Sequence, residues 1–388
     1  MKKKLFATLL CVTMAATILN GCGSTERTAS EPSAEAVKGG DASEEAETKA
    51  EAEEGNKNII VISKSYQNQF YQAAFQGADD AAADFGVSVI TNGPDAESNV
   101  SQQVEQVAAA INQKPDAIVL AACDPGALEE VLTKAKENGI PVIGFDSGVP
   151  GDTTGAVVAT AATDNEKAGV NVAENMAADE GFQNAVLAGT EENPAVIGIL
   201  AQDATSGSIT QRVDGFIQGM VSSLEELDGL KGCVDVSGQE KWTIPSTENA
   251  KVKIVVTVPP STSQADIQSA ANTIFATDNL VGVFAANQDA VNGVISATND
   301  ATDLNKENGK YKDIYVVGFD AGKSQKDAVT NGEFLGSVTQ DPYQMGYQAI
   351  KLAVDAADGK EVSDVDTGSR WYNKDNIAEE DIAILLYD

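Results

Sequence analysis

From residue 58 onward, short apolar runs alternate with stretches of helical period. Ile59-Ile60-Val61-Ile62 is a β-branched run that suits a strand buried on both faces. From Gln69 the period changes, and Phe70, Ala73, Ala74 and Gly77 share one side of a helix. Further strands are predicted over 87–91, 117–121, 141–145 and 157–161, with helices over 96–113 and 126–138; the Asn138-Gly139 step is a helix stop. A second series opens with a helix over 165–178. It continues through strand 195–200, helix 208–224, strand 253–258, helix 263–277, strand 281–285 and helix 289–299. It closes with strand 314–318, helix 322–331, strand 335–339, helix 342–357 and a last strand near 367–371. Residues 180–194 and 225–250 show no period and read as surface insertions. Alternation of this kind predicts an α/β chain whose parallel sheets are covered by helices on both faces.

The first 57 residues follow other rules. Lys2-Lys3-Lys4 precedes an apolar run from Leu5 to Leu19, too short to cross a bilayer with margin, and Asn20-Gly21-Cys22 follows. This is the layout of an export signal. Beyond it, residues 23–57 have no aromatic residue and almost nothing apolar beyond Ala. That composition, mostly Glu, Ala, Ser, Thr, Gly and Lys with single Arg, Pro, Val, Asp and Asn residues, cannot bury enough surface to offset its ordering entropy, and it predicts a disordered acidic tether. The remaining 58–388 are long for a single core and suggest two lobes.

The formal charge is −33, and loss of Met1–Gly21 would remove three lysines and no acid. A surface this negative argues against nucleic acid and against lying flat on anionic lipid. There is no histidine, which removes Ser-His-Asp and Cys-His nucleophiles and every His-containing metal site. No cofactor is expected. With Cys11 in the signal and Cys22 at its end, only Cys123 and Cys233 could persist as thiols; their placement in different lobes favours free, mostly buried thiols.

One near-repeat carries candidate chemistry. Ile143-Gly144-Phe145-Asp146-Ser147-Gly148 and Val317-Gly318-Phe319-Asp320-Ala321-Gly322 each end an apolar strand with an aspartate, so each brings a carboxylate to the carboxyl edge of a sheet, where open α/β folds hold ligands. A competing reading, stronger for Asp320, is that each side chain only caps the next helix. Asn68, Asn287 and Gln340 follow strands in the same way. Amides and carboxylates together suit a neutral polyhydroxylated ligand, with Phe70 and Tyr71 as apolar flanks, although Phe70 also fits a helix core.

Several segments together resemble the ribose-type sugar-binding lipoproteins of bacterial ABC importers. These are Asn68-Gln69-Phe70-Tyr71, Ile140 to Asp146, Ala162-Thr163-Asp164-Asn165, Gln211 to Phe216, Val317 to Asp320 and Gln340-Asp341-Pro342, with Leu19-Asn20-Gly21-Cys22 similar to a lipobox. The resemblance implies the type I periplasmic-binding-protein fold: two Rossmann-like lobes joined by three hinge crossings. Lobe 1 would hold 58–163 and 341–366, and lobe 2 would hold 164–340 and 367–388. It implies removal of residues 1–21 and lipidation of Cys22, which anchors an extracytoplasmic monomer to the cell membrane by lipid alone. It also implies sugar capture by closure and delivery to ABC permease subunits.

Carried over by motif, the ligand set is Asn68, Phe70, Asp146, Asn287, Asp320 and Gln340, flanked by Tyr71. Ser147 and Thr210, which stand where ribose binders have arginines, and Arg212, from an Arg-x-x-Gly-Phe motif with a partly structural role, are counted with the ligand-binding residues. Loss of two guanidinium forks weakens the case for ribose itself. Two other functions fit the same residues: a sensor feeding a chemoreceptor or histidine kinase, or a glycosidase using the paired aspartates.

Overall fold

The computed structural model describes residues 56–244 and 249–387. The signal segment, Cys22 and the tether as far as residue 55 lie outside the described residues. Strands β1 (Asn58–Ile62), β2 (Ser88–Asn92), β3 (Ala117–Leu120), β4 (Val142–Phe145) and β5 (Val157–Ala162) belong to a first sheet. Strands β6 (Ala195–Leu200), β7 (Val234–Gly238), β8 (Val252–Thr257), β9 (Leu280–Ala285), β10 (Tyr315–Phe319) and β11 (Gly336–Gln340) belong to a second. Two late strands divide between them: β12 (Val365–Asp366) joins the first sheet and β13 (Ser369–Tyr372) the second.

The strand orders are β12-β5-β4-β3-β1-β2 and β13-β11-β10-β9-β6-β8-β7, parallel throughout except for β13 against β11. β1, β3, β4 and β6 are buried along almost their whole length, which is why they read as continuous apolar runs without alternation.

Helices cover both sheets: α1 (Gln69–Phe85), α2 (Val100–Asn112), α3 (Glu129–Glu137), α4 (Asn165–Ala177), α5 (Glu180–Leu187), α6 (Gly207–Glu225), α7 (Gln264–Phe275), α8 (Gln288–Ala297), α9 (Lys323–Thr330), α10 (Pro342–Ala357) and α11 (Glu380–Ala383). Each lobe contains a helix pair in close backbone contact. A Cβ on Gly77 of α1 would overlap the Tyr343 carbonyl of α10, and one on Gly346 would overlap the Ala74 carbonyl. In the other lobe, Gly169 of α4 meets the Arg212 carbonyl and Gly215 of α6 meets Glu166. These contacts seat the N-termini of α1 and α6, which open onto the space between the sheets.

The chain passes between the sheets three times: after β5 into α4, after β11 into α10, and between β12 and β13. The two presumed insertions are built into lobe 2. Residues 180–187 form α5, which buries Phe182 and Val186 in the core. Within 225–250, β7 extends the sheet at its edge and Trp242 packs beneath, its indole N–H donating to Asp214 at 2.8 Å. Two turns of helix and a five-residue edge strand are too short to show a period. Cys123 and Cys233 are both free; Cys123 is buried, while Cys233 is only partly so.

Candidate functional site

Both strand-end aspartates leave the sheet through the same backbone turn. Asp146 and Asp320 have φ of 53° and 75°, in the left-handed region that aspartate tolerates better than most residues. Each amide first extends the ladder to the neighbouring strand, Asp146 to the Ala161 carbonyl and Asp320 to that of Val338. Tyr372 and Ser337 hydroxyls donate to the Asp320 carbonyl, fixing that turn from the side.

A cavity of about 30 Å³ lies where the carboxyl edges of the two sheets meet. It is lined by Asn68, Phe70, Tyr71, Asp146, Arg212, Asn287, Asp320 and Gln340. Ser147 and Thr210 are buried outside it: their hydroxyls donate to the backbone carbonyls of Ala122 and Gly207. Asn68 and Asn287 are N-caps of α1 and α8, their side-chain oxygens accepting from the amides of Phe70 and Ala290 at 3.0 Å. Phe70 is at once core and cavity wall. Asp320 does not cap the helix that follows it. Its Oδ2 accepts from the Gln288 amide, in the first turn of α8, at 2.8 Å, and its Oδ1 from Gln340 Nε2 at 2.7 Å.

Lys64, Glu97, Ser208, Ile209 and Gln288 complete the lining and were not singled out from sequence. Lys64 could have been: it is a cation at the carboxyl edge of β1, four residues before Asn68. Its Nζ lies 3.3 Å from Glu97 and 3.6 Å from Asp146, and donates to Ser206 at 3.1 Å. Burial alone would favour the neutral amine, but Glu97, Asp146 and Asp203 outweigh it and raise Lys64 above its ordinary value, so it stays charged. Glu97 is raised by burial, with Lys64 opposing. Glu97 precedes α2 instead of lying inside it, which frees its side chain to face the cleft.

Asp146 also accepts from the Tyr71 hydroxyl at 2.6 Å. Asp320 is raised by burial, opposed first by Arg212 and then by its two hydrogen bonds. Arg212 donates to the Ala286 carbonyl and to Asn165 Oδ1, each at 2.7 Å, and its guanidinium lies 3.4 Å from the centre of the Phe319 ring. Bonds also cross the cleft: Gln202 donates to Glu97 at 2.7 Å, Gln288 to Gln69 at 3.2 Å, and the Ser98 amide to the Thr262 hydroxyl at 3.1 Å.

This geometry has counterparts among known proteins. A family model described as a periplasmic binding protein domain matches residues 59–361. The chain belongs to the periplasmic binding protein family. Among curated relatives of this periplasmic binding protein is the ribose import binding protein of Bacillus subtilis, 26% identical over 313 residues, covering 79% of this chain and 85% of the relative. A solved structure named as an ABC transporter, LacI family transcriptional regulator, from Brachyspira murdochii is 35% identical with a TM-score of 0.72, covering 86% of this chain and 99% of that one. An ABC transporter solute-binding protein from Agrobacterium vitis with bound D-fucose is 28% identical, with a TM-score of 0.69 over 85% of this chain and 100% of that one.

Proposed function

We propose that this periplasmic binding protein captures a small neutral polyhydroxylated molecule, a monosaccharide or related polyol, and presents it to an ABC permease. One observation carries the reading. Three buried polar atoms without a hydrogen-bond partner, Arg212 Nε and the side-chain oxygens of Gln288 and Gln340, belong to residues lining one cavity. A buried polar group left unpaired costs about 1–3 kcal/mol. Hydroxyls both donate and accept, so a polyol answers one donor and two acceptors together. The ribose importer and the D-fucose complex among the relatives support the class.

Hinge closure around a ligand is the motion known for periplasmic binding proteins as a class. Here the lobes would be 58–163 with 341–366 and 164–340 with 367–388, turning on the three passages between sheets. A ligand touching both lobes favours closure by its extra affinity for the closed state. Delivery needs no bond to be made or broken, and in this reading the paired aspartates orient hydroxyls and catalyse nothing. Lipidation at Cys22 would place the folded part outside the cytoplasm on its tether; mass spectrometry of the mature protein starting elsewhere, with no acyl chain, would reject that.

The test is a thermal-shift screen with pentoses, hexoses, deoxysugars and polyols, followed by calorimetry and small-angle scattering. At least one sugar should raise Tm and reduce the radius of gyration at saturation. If no member of the panel does so, the reading fails.

A further inference from the structure

The last described segment, from Glu379 to Tyr387, is held by lobe 2. Ile382 is buried in a lobe 2 core, and the Leu385 carbonyl accepts from Thr339 Oγ1 on β11 at 3.1 Å. Its final described side chain reaches across the cleft. Tyr387 packs against the lobe 2 cluster around Val291 and Ile295 and also against the lobe 1 cluster around Phe70 and Tyr71. Its ring stands edge-on to Phe70 with centroids 6.2 Å apart.

From there edge-to-face contacts continue, Phe70 to Tyr71 at 5.2 Å and Tyr71 to Phe145 at 6.0 Å, and the Tyr71 hydroxyl holds Asp146. The Tyr387 phenol also lies within electrostatic reach of Asp320 and Arg212. One side chain therefore adjoins the wall that positions the first aspartate and the field of the second.

We propose that Tyr387 is a positioning residue for ligand binding, a wedge by which lobe 2 sets the Phe70–Tyr71 wall of the cavity and couples that wall to closure. The inference rests on the proposed binding function for its consequence but not for its geometry. An aromatic pair contributes about 0.5–1.5 kcal/mol beyond its buried area, so losing the ring should weaken closure-dependent binding by about twofold to twelvefold. The hydroxyl is not required for this role.

The experiment compares the full chain with Tyr387→Phe, Tyr387→Leu and Tyr387→Ala. Hydrogen exchange without any sugar is the first arm. Amides in the first turn of α1, across the cleft in lobe 1, should exchange faster in Tyr387→Ala, near the wild-type rate in Tyr387→Phe and in between in Tyr387→Leu, while β9 of lobe 2 stays unchanged. An unchanged first turn in Tyr387→Ala, or faster exchange spread through lobe 2 instead, overturns the wedge. Should Tyr387→Ala not fold, Tyr387→Leu is read against Tyr387→Phe by the same criteria. The second arm titrates D-ribose, D-fucose and D-arabinose: equal affinity in wild type and Tyr387→Ala also overturns the proposal. If wild type binds none of the three, the exchange arm alone decides the wedge, and the binding reading is what has lost support.

Discussion

Asp146 and Asp320 come from near-identical sequence, end equivalent strands and share a left-handed turn, yet they sit in different electrostatic settings. Asp146 meets a lysine and a phenol, both on its own lobe. Asp320 meets an amide side chain, a helix N-terminus and a guanidinium. The repeated motif delivers a carboxylate; what that carboxylate can do is set by neighbours from elsewhere in the chain. Lobe 1 balances its acids with one buried lysine shared by Asp146 and Glu97. Lobe 2 uses backbone and amide dipoles with an arginine stacked on Phe319.

The largest effect should come from removing the cation that distinguishes the first site. Lys64→Met leaves Glu97 and Asp146 buried without their shared partner, and breaking such a pair costs about 3–5 kcal/mol. A melt should show a large loss of Tm, partly recovered by adding Glu97→Gln; no loss would mean that the ammonium is not what balances lobe 1.

Next come the aspartates themselves. Asp→Ala at either position should weaken sugar binding by about tenfold to over a hundredfold, following the roughly 1–3 kcal/mol lost when a bond to a charged group is removed. The two changes should be less than additive, because both acids act on one small ligand and one closure equilibrium. Asp320→Ala should also lower Tm, since Gln340 and the Gln288 amide lose their acceptor and Arg212 loses a nearby opposite charge. Calorimetry beside melts separates the two effects, and unchanged affinity in either variant removes that residue from the site.

A smaller effect concerns pH. Asp289, at the cleft mouth beside Gln264, is pushed up to about 7 by burial, with Glu97 and Asp320 adding and Lys64 opposing. A carboxyl whose folded value is raised disfavours the folded state while it is ionised. Stability should therefore rise as pH falls through about 7 and level off near the unfolded carboxylate value. Burial raises Asp320 with the same sign. Asp289→Asn should flatten the dependence of Tm on pH between 8 and 5; an unaltered slope would place its origin elsewhere.

The smallest effect falls on the capping amides. Asn68→Ala and Asn287→Ala should each cost about 1 kcal/mol of stability through α1 and α8. An affinity loss exceeding the stability loss would show that these amides also touch ligand, which their positions on the cavity wall allow.

Nearly every element was legible because its cause is local: apolar runs for strands buried on two faces, a 3.6 period for helices, Gly-Phe-Asp-x-Gly for the two turns. The two lobes followed from the length of 58–388, and the placement of both aspartates at sheet edges from the alternation. Elements too short for a period, α5 and β7, did not. Neither did the fate of single polar groups. Ser147 and Thr210 look from sequence like ligand contacts, and only packing shows their hydroxyls committed to nearby carbonyls. The pairing of Lys64 with Glu97, the buried, unpaired Arg212 Nε and the contact of Tyr387 with Phe70 depend on residues far apart in the chain. A side chain's type and period are properties of its own segment, but its charge balance and its free hydrogen-bonding capacity belong to whichever residues folding brings against it.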